Sequence, residues 1–183
     1  LTGIYLTNIT NVTINPDTGN VFRNLNVGIL GIRTNLSVSN CKFQNILVYD
    51  SYLQTPRLLG TAIYAKGSLS GYTVSYTGRR DSLSADFENC VNGIRTKQMS
   101  LVVTNSYLKN VDIGIESERT NLATISIKYN TIDCNLTGIS MLSNLSPSSF
   151  LVYENLINGG FNVLQNSGVL SNAIGIDLQG NNN

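Results

Sequence analysis

Short patterns of apolar and polar residues recur along this chain at nearly constant spacing. The segment 87–94 reads FENCVNGI, and YLKNVDIGI at 107–115 and IDCNLTGI at 132–139 repeat its order of residue types. Each copy has an apolar anchor, a small residue two positions later, and a Gly-Ile pair beginning four positions after that. Complete copies begin at Phe22, Phe87, Leu108 and Ile132, and incomplete copies begin at Phe43 and Ile157.

The spacing of these anchors defines a repeat. Successive anchors are 21, 44, 21, 24 and 25 residues apart. A second marker, an asparagine that closes a short apolar strand, occurs at Asn40, Asn105, Asn130 and Asn155, and its last three copies are 25 residues apart. Because two markers share one period of 20 to 50 residues, the pattern predicts a solenoid.

The residues between the markers indicate which solenoid is expected. Segments such as TISIKY at 124–129 alternate or are β-branched over three to five positions, and no stretch has the i, i+3, i+4, i+7 spacing of a helix. The leucine-rich frame L-x-x-L-x-L is also absent. The sequence therefore predicts an all-β, right-handed, single-stranded parallel β-helix of about seven coils, with 21–25 residues per coil and coils ~4.8 Å apart.

In such a stack, each position lies above its equivalent in the previous coil. We expect the six apolar anchors to form one interior stack, in the order Phe22, Phe43, Phe87, Leu108, Ile132 and Ile157. We expect an amide ladder at a turn, formed by Asn24, Asn45, Asn89 and Asn110, with Cys134 as the rung of the following coil. The repeated glycines allow a positive φ or a close approach of two backbones; they are Gly28, Gly93, Gly114 and Gly138.

Composition restricts the functions that this chain can have. It has 183 residues, a net charge of +1, 13% charged residues, no histidine and no long apolar run. These values predict one domain over 1–183, with no membrane insertion and no nucleic-acid interface. Cys41, Cys90 and Cys134 have no paired spacing, so we expect buried free thiols and no metal or cofactor. We also expect the chain to be a segment of a longer one, with its ends covered by further coils or by a partner.

The period breaks between Phe43 and Phe87, where 44 residues are either two coils or one coil with an insertion. Five of the nine tyrosines lie in or beside this irregular segment, 46–82, together with several basic residues. Tyrosine rings beside arginine can stack on sugars and hydrogen-bond to their hydroxyls, so the segment is a candidate carbohydrate-binding surface. The candidate residues are Tyr49, Tyr52, Tyr64, Tyr72, Tyr76, Arg57, Arg79 and Arg80. The alternative, which we favour, is that the tyrosines pack this segment against the coils.

Acidic residues near the repeats could form a catalytic or calcium site. Asp86 and Glu88 flank the inward Phe87 and are expected to point outward, and Asp112, Glu116 and Glu118 lie one coil further on. Basic residues lie among them, at Arg95, Lys97, Lys109 and Arg119. Since Arg95 and Glu116 each follow a Gly-Ile pair, we expect them to form a cross-coil ion pair. A solvated ladder of charges is thus favoured over a catalytic centre.

The repeated N-x-F-x-N-x-x-x-GI style resembles the pectate-lyase-like right-handed β-helix superfamily, and most closely the Asn-rich β-helix regions of large exported bacterial surface proteins. Members of that superfamily include polysaccharide lyases, glycoside hydrolases, phage tailspikes and adhesins, so the resemblance implies a fold more than an activity. The Gly-His-Gly and Asn-Thr-Asp signatures of polygalacturonases are absent here.

Together these features favour a non-enzymatic scaffold or adhesin segment. The resemblance implies an extracellular or bacterial cell-surface location. The candidate partner is a polysaccharide or another surface protein, and the tyrosines and arginines of 46–82 are the candidate surface for contacting it. The alternative is part of a polysaccharide lyase or glycoside hydrolase whose catalytic face lies in another part of a longer chain.

Overall fold

The computed structural model describes residues 1–17, 19–48, 58–68, 71–79, 84–118, 123–144, 149–159 and 173–180, which form two β-sheets. The six-stranded sheet contains β2 (Asn11–Ile14), β5 (Asn35–Ser39), β8 (Thr73–Thr77), β10 (Ser100–Thr104), β12 (Thr124–Lys128) and β14 (Ser149–Tyr153). The ten-stranded sheet contains β1 (Thr2–Thr7), β3 (Asn20–Leu25), β4 (Val27–Ile32), β6 (Cys41–Ile46), β7 (Thr61–Lys66), β9 (Phe87–Lys97), β11 (Tyr107–Glu118), β13 (Thr131–Asn144), β15 (Leu156–Gly159) and β16 (Ile174–Gly180). Within these ranges the chain forms no helix, so none is present there that could cross a membrane.

Strand pairing in both sheets is parallel. The chain alternates between the sheets, since β10 lies between β9 and β11 in sequence but pairs with β8 and β12. We call one such pass through the two sheets a coil. Leu101 and Val103 of β10 point into the core, while the alternate residues of the strand are partly exposed, as expected for a strand with one buried face. The predicted all-β class is confirmed, and the parallel stacked sheets are consistent with a β-solenoid.

The predicted interior stack of the anchors is confirmed. Phe22 pairs with Phe43 and Phe43 with Phe87, and the register continues through Leu108, Ile132 and Ile157. The first two ring pairs have centroids 4.9 and 5.1 Å apart and planes inclined by 9° and 7°. Phe43 and Phe87 are fully buried, whereas Phe22 at one end of the stack is half-buried. Stacked rings therefore form the centre of the core.

The direct pairing of Phe43 with Phe87 resolves the irregular interval between them. The additional residues belong to a single coil, because no further anchor intervenes in the register. Strands β7 and β8 both lie within 46–82. β7 pairs with β4 and β9 in the ten-stranded sheet, and β8 pairs with β5 and β10 in the six-stranded sheet. Both strands are thus integral to the sheets. The limits of the insertion and the single-domain assignment over 1–183 stay predictions.

The repeated glycines are required by close approach of the backbones. A Cβ added at Gly93 would lie 2.5 Å from the carbonyl oxygen of Gly114, and one added at Gly114 would lie 2.5 Å from that of Gly138. Neither residue has a positive φ. Of the two explanations that the sequence allowed, the close packing of successive coils is the correct one at these positions.

The second sequence marker was misaligned by one residue in the later coils. Lys128 pairs with Thr104, so the position of Asn105 is taken by Tyr129, and Asn130 lies one residue further along. The backbone agrees, because Asn105 and Tyr129 have φ of 55° and 61°, while Asn130 has no positive φ. The spacing of 25 residues between Asn105 and Asn130 was therefore not the structural repeat.

Replacing Phe87 by alanine should lower the free energy of unfolding by about 3–5 kcal/mol, since the rings of Phe43 and Tyr76 on either side cannot collapse into the space. Urea denaturation of the purified chain measures this change. Phe22→Ala is the matched control and should cost less, because that ring is partly exposed at the end of the stack. Equal losses for the two variants would contradict a core centred on Phe43 and Phe87.

Candidate functional site

The predicted amide ladder follows the bend between β3 and β4 and its equivalents in later coils. Asn45 donates from Nδ2 to Asn24 (3.3 Å), Asn89 to Asn45 (3.1 Å) and Asn110 to Asn89 (2.7 Å). These four residues have φ between 52° and 56°, a conformation that asparagine tolerates well. The next rung is Asn135, which donates to Asn110 over 3.3 Å. The assignment of that rung to Cys134 was wrong.

Cys134 instead lies in the interior. It pairs with Val111, which pairs with Cys90, and all three side chains are buried. A register shift between Lys109 and Val111 pairs Cys134 with the inward Val111 and leaves Asn135 to continue the ladder from Asn110. Burial raises the pKa of Cys90 to about 12 and that of Cys41 to about 11. The three cysteines are free and buried, as the sequence predicted, and such thiols are poor nucleophiles.

Three glutamates of the repeats are paired with basic residues of neighbouring coils, whereas Asp112 accepts from Asn135 over 3.1 Å. Arg95 Nε lies 2.7 Å from Glu116 Oε1, and Arg95 Nη2 lies 3.6 Å from Glu118 Oε2. Lys97 Nζ completes the group, 2.8 Å from Glu118 Oε1. Nearer the start of the same two strands, β9 and β11, Lys109 Nζ lies 3.2 Å from Glu88 Oε1. The predicted cross-coil pair of Arg95 and Glu116 is confirmed.

The environment of that pair differs from the expectation. Arg95 lies between the core residues Ile94 and Thr96 in β9, so its side chain is on the outer side of the sheet, yet only 7% of the residue is exposed. Glu116 and Glu118 are also buried. The ladder is therefore not solvated at these positions. Buried ions that lose a partner destabilise a fold strongly, whereas exposed pairs contribute little.

The geometry restricts what this cluster can do chemically. A general acid or a nucleophile needs a carboxylate that can take up a proton or attack, but here Glu116 lies 2.7 Å from a guanidinium nitrogen and Glu118 accepts from the Lys97 ammonium group. In the described part of the chain, no three histidine, cysteine or acidic side chains form a group that could hold a metal ion. The arrangement serves electrostatic cohesion between coils.

Asp86 has a structural environment that the sequence did not reveal. It was expected to point outward, but only 2% of it is exposed. Its Oδ2 accepts from the N–H of Tyr107 over 2.9 Å, and its carboxyl also interacts with the N–H of Arg79 and the hydroxyl of Tyr76. Burial raises the pKa of this carboxyl, and the hydrogen bonds from the backbone N–H groups of Tyr107 and Arg79 lower it in part. Asp86 thus links Arg79, which follows β8, to Tyr107 at the start of β11.

The predicted carbohydrate-binding residues are brought together only in part. Tyr76 is fully buried, packs against Phe87 with the ring planes inclined by 59°, and donates from its hydroxyl to the carbonyl of Cys41 over 2.9 Å. Tyr64 is 8% exposed, and Tyr72 is half-buried and packs against the core. Arg79 is exposed and donates from Nε to Asn40. Tyr49, Tyr52, Arg57 and Arg80 lie outside the described residues, so glycan contact through this segment stays a prediction.

A different aromatic group lies at the turn after β12. The rings of Tyr129 and Tyr153 have centroids 5.5 Å apart and planes at 78°, and Lys128 Nζ is 5.9 Å from both centroids. Tyr129 has φ 61°, a conformation that costs a bulky residue about 1–3 kcal/mol. Sequence reasoning missed this group because Tyr129 occupies a position where the pattern had placed an asparagine.

Comparison of the chain with protein-family models, with curated proteins and with solved structures finds no significant match.

Replacing Arg95 by methionine should lower the free energy of unfolding by about 3–5 kcal/mol, because it removes the closest cation from the buried carboxylate of Glu116. The matched control is Lys109→Met. Its side chain is 51% exposed, so the loss of its pair with Glu88 should cost no more than about 1 kcal/mol. Urea denaturation of both variants measures the difference, and similar losses would show that burial of the Arg95 cluster is unimportant.

The raised pKa of Asp86 predicts a component of stability that depends on pH. The folded chain favours the protonated carboxyl, so this component is complete below the usual value of 3.8 and is lost as the pH rises through the raised pKa. Asp86→Asn lacks the ionisation. Its stability relative to the wild type should increase over that interval, as followed by denaturation at a series of pH values. Asp17→Asn, at an exposed aspartate, controls for the loss of one negative charge. A pH-independent difference between Asp86→Asn and the wild type would refute the prediction.

Proposed function

We propose that this chain is a segment of a non-enzymatic extracellular scaffold or adhesin, built as a right-handed, single-stranded parallel β-helix of about seven coils. The observation that carries the proposal is the neutralisation of the outer-face carboxylates. Glu88, Glu116 and Glu118 each contact a cation of an adjacent coil within 3.2 Å. These contacts use the ionisable side chains for cohesion between coils rather than for chemistry on a substrate.

A rod-like role is supported by the way in which the coils hold together. Hydrogen bonds, stacked rings and ion pairs all run along the stacking direction, from each coil to the next. At ~4.8 Å per coil, seven coils would extend roughly 30–35 Å. The resemblance to the pectate-lyase-like superfamily and to exported bacterial surface proteins supports a location at the cell surface. Within this proposal, segment 46–82 contacts a polysaccharide or another surface protein.

The alternative is a fragment of a polysaccharide lyase or glycoside hydrolase. One observation favours it: Arg95, Lys97, Glu116 and Glu118 bring two carboxylates and two cations together on one outer face, beside the hydroxyl-bearing Tyr64. The burial of this group weighs against it, because a polymer has to reach the carboxylates. The scaffold is therefore the better supported proposal.

The purified chain should release neither unsaturated oligosaccharides nor new reducing ends from acidic or neutral polysaccharides. Ultraviolet absorbance follows the former, and a reducing-sugar assay follows the latter. Glu116→Gln and Glu88→Gln serve as variants that keep the shape of the side chain and remove its charge. Product release by the wild type that either variant abolishes would establish the enzymatic alternative.

A further inference from the structure

Lys128, Tyr129 and Tyr153, which we call the tyrosine platform, form an accessible aromatic surface on the outside of the stack. Tyr129 is 39% exposed, and Tyr153 and Lys128 are partly exposed. The two rings meet nearly at right angles, at 78°, with the Lys128 ammonium 5.9 Å from each centroid. The platform therefore combines two amphipathic rings and one cation at a single corner of the coils.

The backbone of Tyr129 is held in a conformation that suits another residue. In two earlier coils the equivalent residue is an asparagine with a positive φ, Asn40 (52°) and Asn105 (55°), and in the next coil it is the smaller Glu154 (51°). Asparagine visits this region readily, whereas a bulky aromatic residue does so rarely. Strained residues of this kind concentrate at functional sites, where the strain supports a binding geometry. A tyrosine at this position is thus unfavourable for the turn itself and needs a separate explanation.

The chemistry of the platform matches that of a sugar ring. A pyranose offers a flat C–H face that can stack on an aromatic ring, and hydroxyls at its rim that need donors and acceptors. At the platform the rings supply the apolar surface, Lys128 supplies a donor, and the exposed carboxylate of Glu154 and the hydroxyl of Thr104 in the strand below supply acceptors. Three side chains are enough to stack and hydrogen-bond one pyranose ring, whereas a stable protein interface covers about 800 Å² on each partner.

We propose that the tyrosine platform is a saccharide-binding site that stacks one pyranose ring of a glycan. This site is distinct from segment 46–82, where the two buried tyrosines, Tyr64 and Tyr76, offer no accessible ring face. It extends the proposed scaffold by giving it a ligand and a location for that ligand. The binding site does not depend on whether the chain also has catalytic activity.

The test uses two substitutions that restore residue types found at equivalent positions. Tyr129→Asn introduces the residue of the equivalent turn at Asn105, and Tyr153→Thr introduces the residue of the same column at Thr104. Tyr5→Asn is the matched control, since Tyr5 is 61% exposed and lies on β1, in the other sheet. The probe is a printed array of neutral and uronate-bearing pyranose oligosaccharides, followed by isothermal titration with the best soluble binder.

We expect the wild type and Tyr5→Asn to bind the same oligosaccharides, and both platform variants to bind at least tenfold more weakly. The melting temperature of Tyr129→Asn should be unchanged or higher, because asparagine relieves the backbone. A merely structural role predicts the opposite: a lower melting temperature with binding unchanged.

The proposal is overturned if the wild type binds no oligosaccharide on the array, or if both variants bind as the wild type does. If Tyr129→Asn does not fold, Tyr153→Thr decides the outcome by itself. Cleavage of a bound glycan would refute the scaffold and leave the platform intact. Absence of binding, without cleavage, would refute the platform and leave the scaffold intact.

Discussion

The structure depends on one constraint: parallel strands in register place equivalent residues of successive coils directly above one another. Each side chain must then fit against the equivalent side chains of the coils on either side of it. Phenylalanine meets this condition by parallel stacking, as at Phe43 and Phe87, and asparagine meets it by donating from one amide to the next, as at Asn45 and Asn89. Glycine meets it where backbones nearly touch, as at Gly93 and Gly114. The composition of the chain follows from this rule.

Charged residues satisfy the same constraint when the equivalent residue of the adjacent coil is neutral or has the opposite charge. Like charges directly opposite each other on paired strands are destabilising, and opposite charges attract. Along one column, Glu88 lies between the neutral Gln44 and the cationic Lys109, and contacts both. In another column, Arg95 lies opposite Glu116 and forms an ion pair with it. Lys66 lies opposite Lys97 and is an exception to this rule. The repulsion between them is reduced because Lys97 pairs with Glu118 of the following coil and because Lys66 is exposed to solvent.

Turns are the positions where this chain can vary without loss of the core. The turn that follows each strand of the six-stranded sheet can hold an asparagine with positive φ, a longer segment such as that after β8, or the strained Tyr129. The core beneath stays the same, with Val103 and Ile127 in one continuous register. An aromatic binding surface can therefore be added to a turn while the stack below it is retained.

The sequence by itself was sufficient for the all-β class, the parallel repeat, the anchor stack, the amide ladder and the pair of Arg95 with Glu116. These features depend on residues at constant offsets, and in a parallel stack a constant offset in sequence becomes contact in space. Burial and local register were decided only by the tertiary structure. The pattern placed Asp86 outside and Cys134 on the ladder, but Gly78 and Tyr107 pack against the first, and a register shift moves the second inward. The position of Tyr129 was hidden for the same reason, because a shift of one residue changes which side chain a turn presents, and only the paired neighbouring strands define that shift.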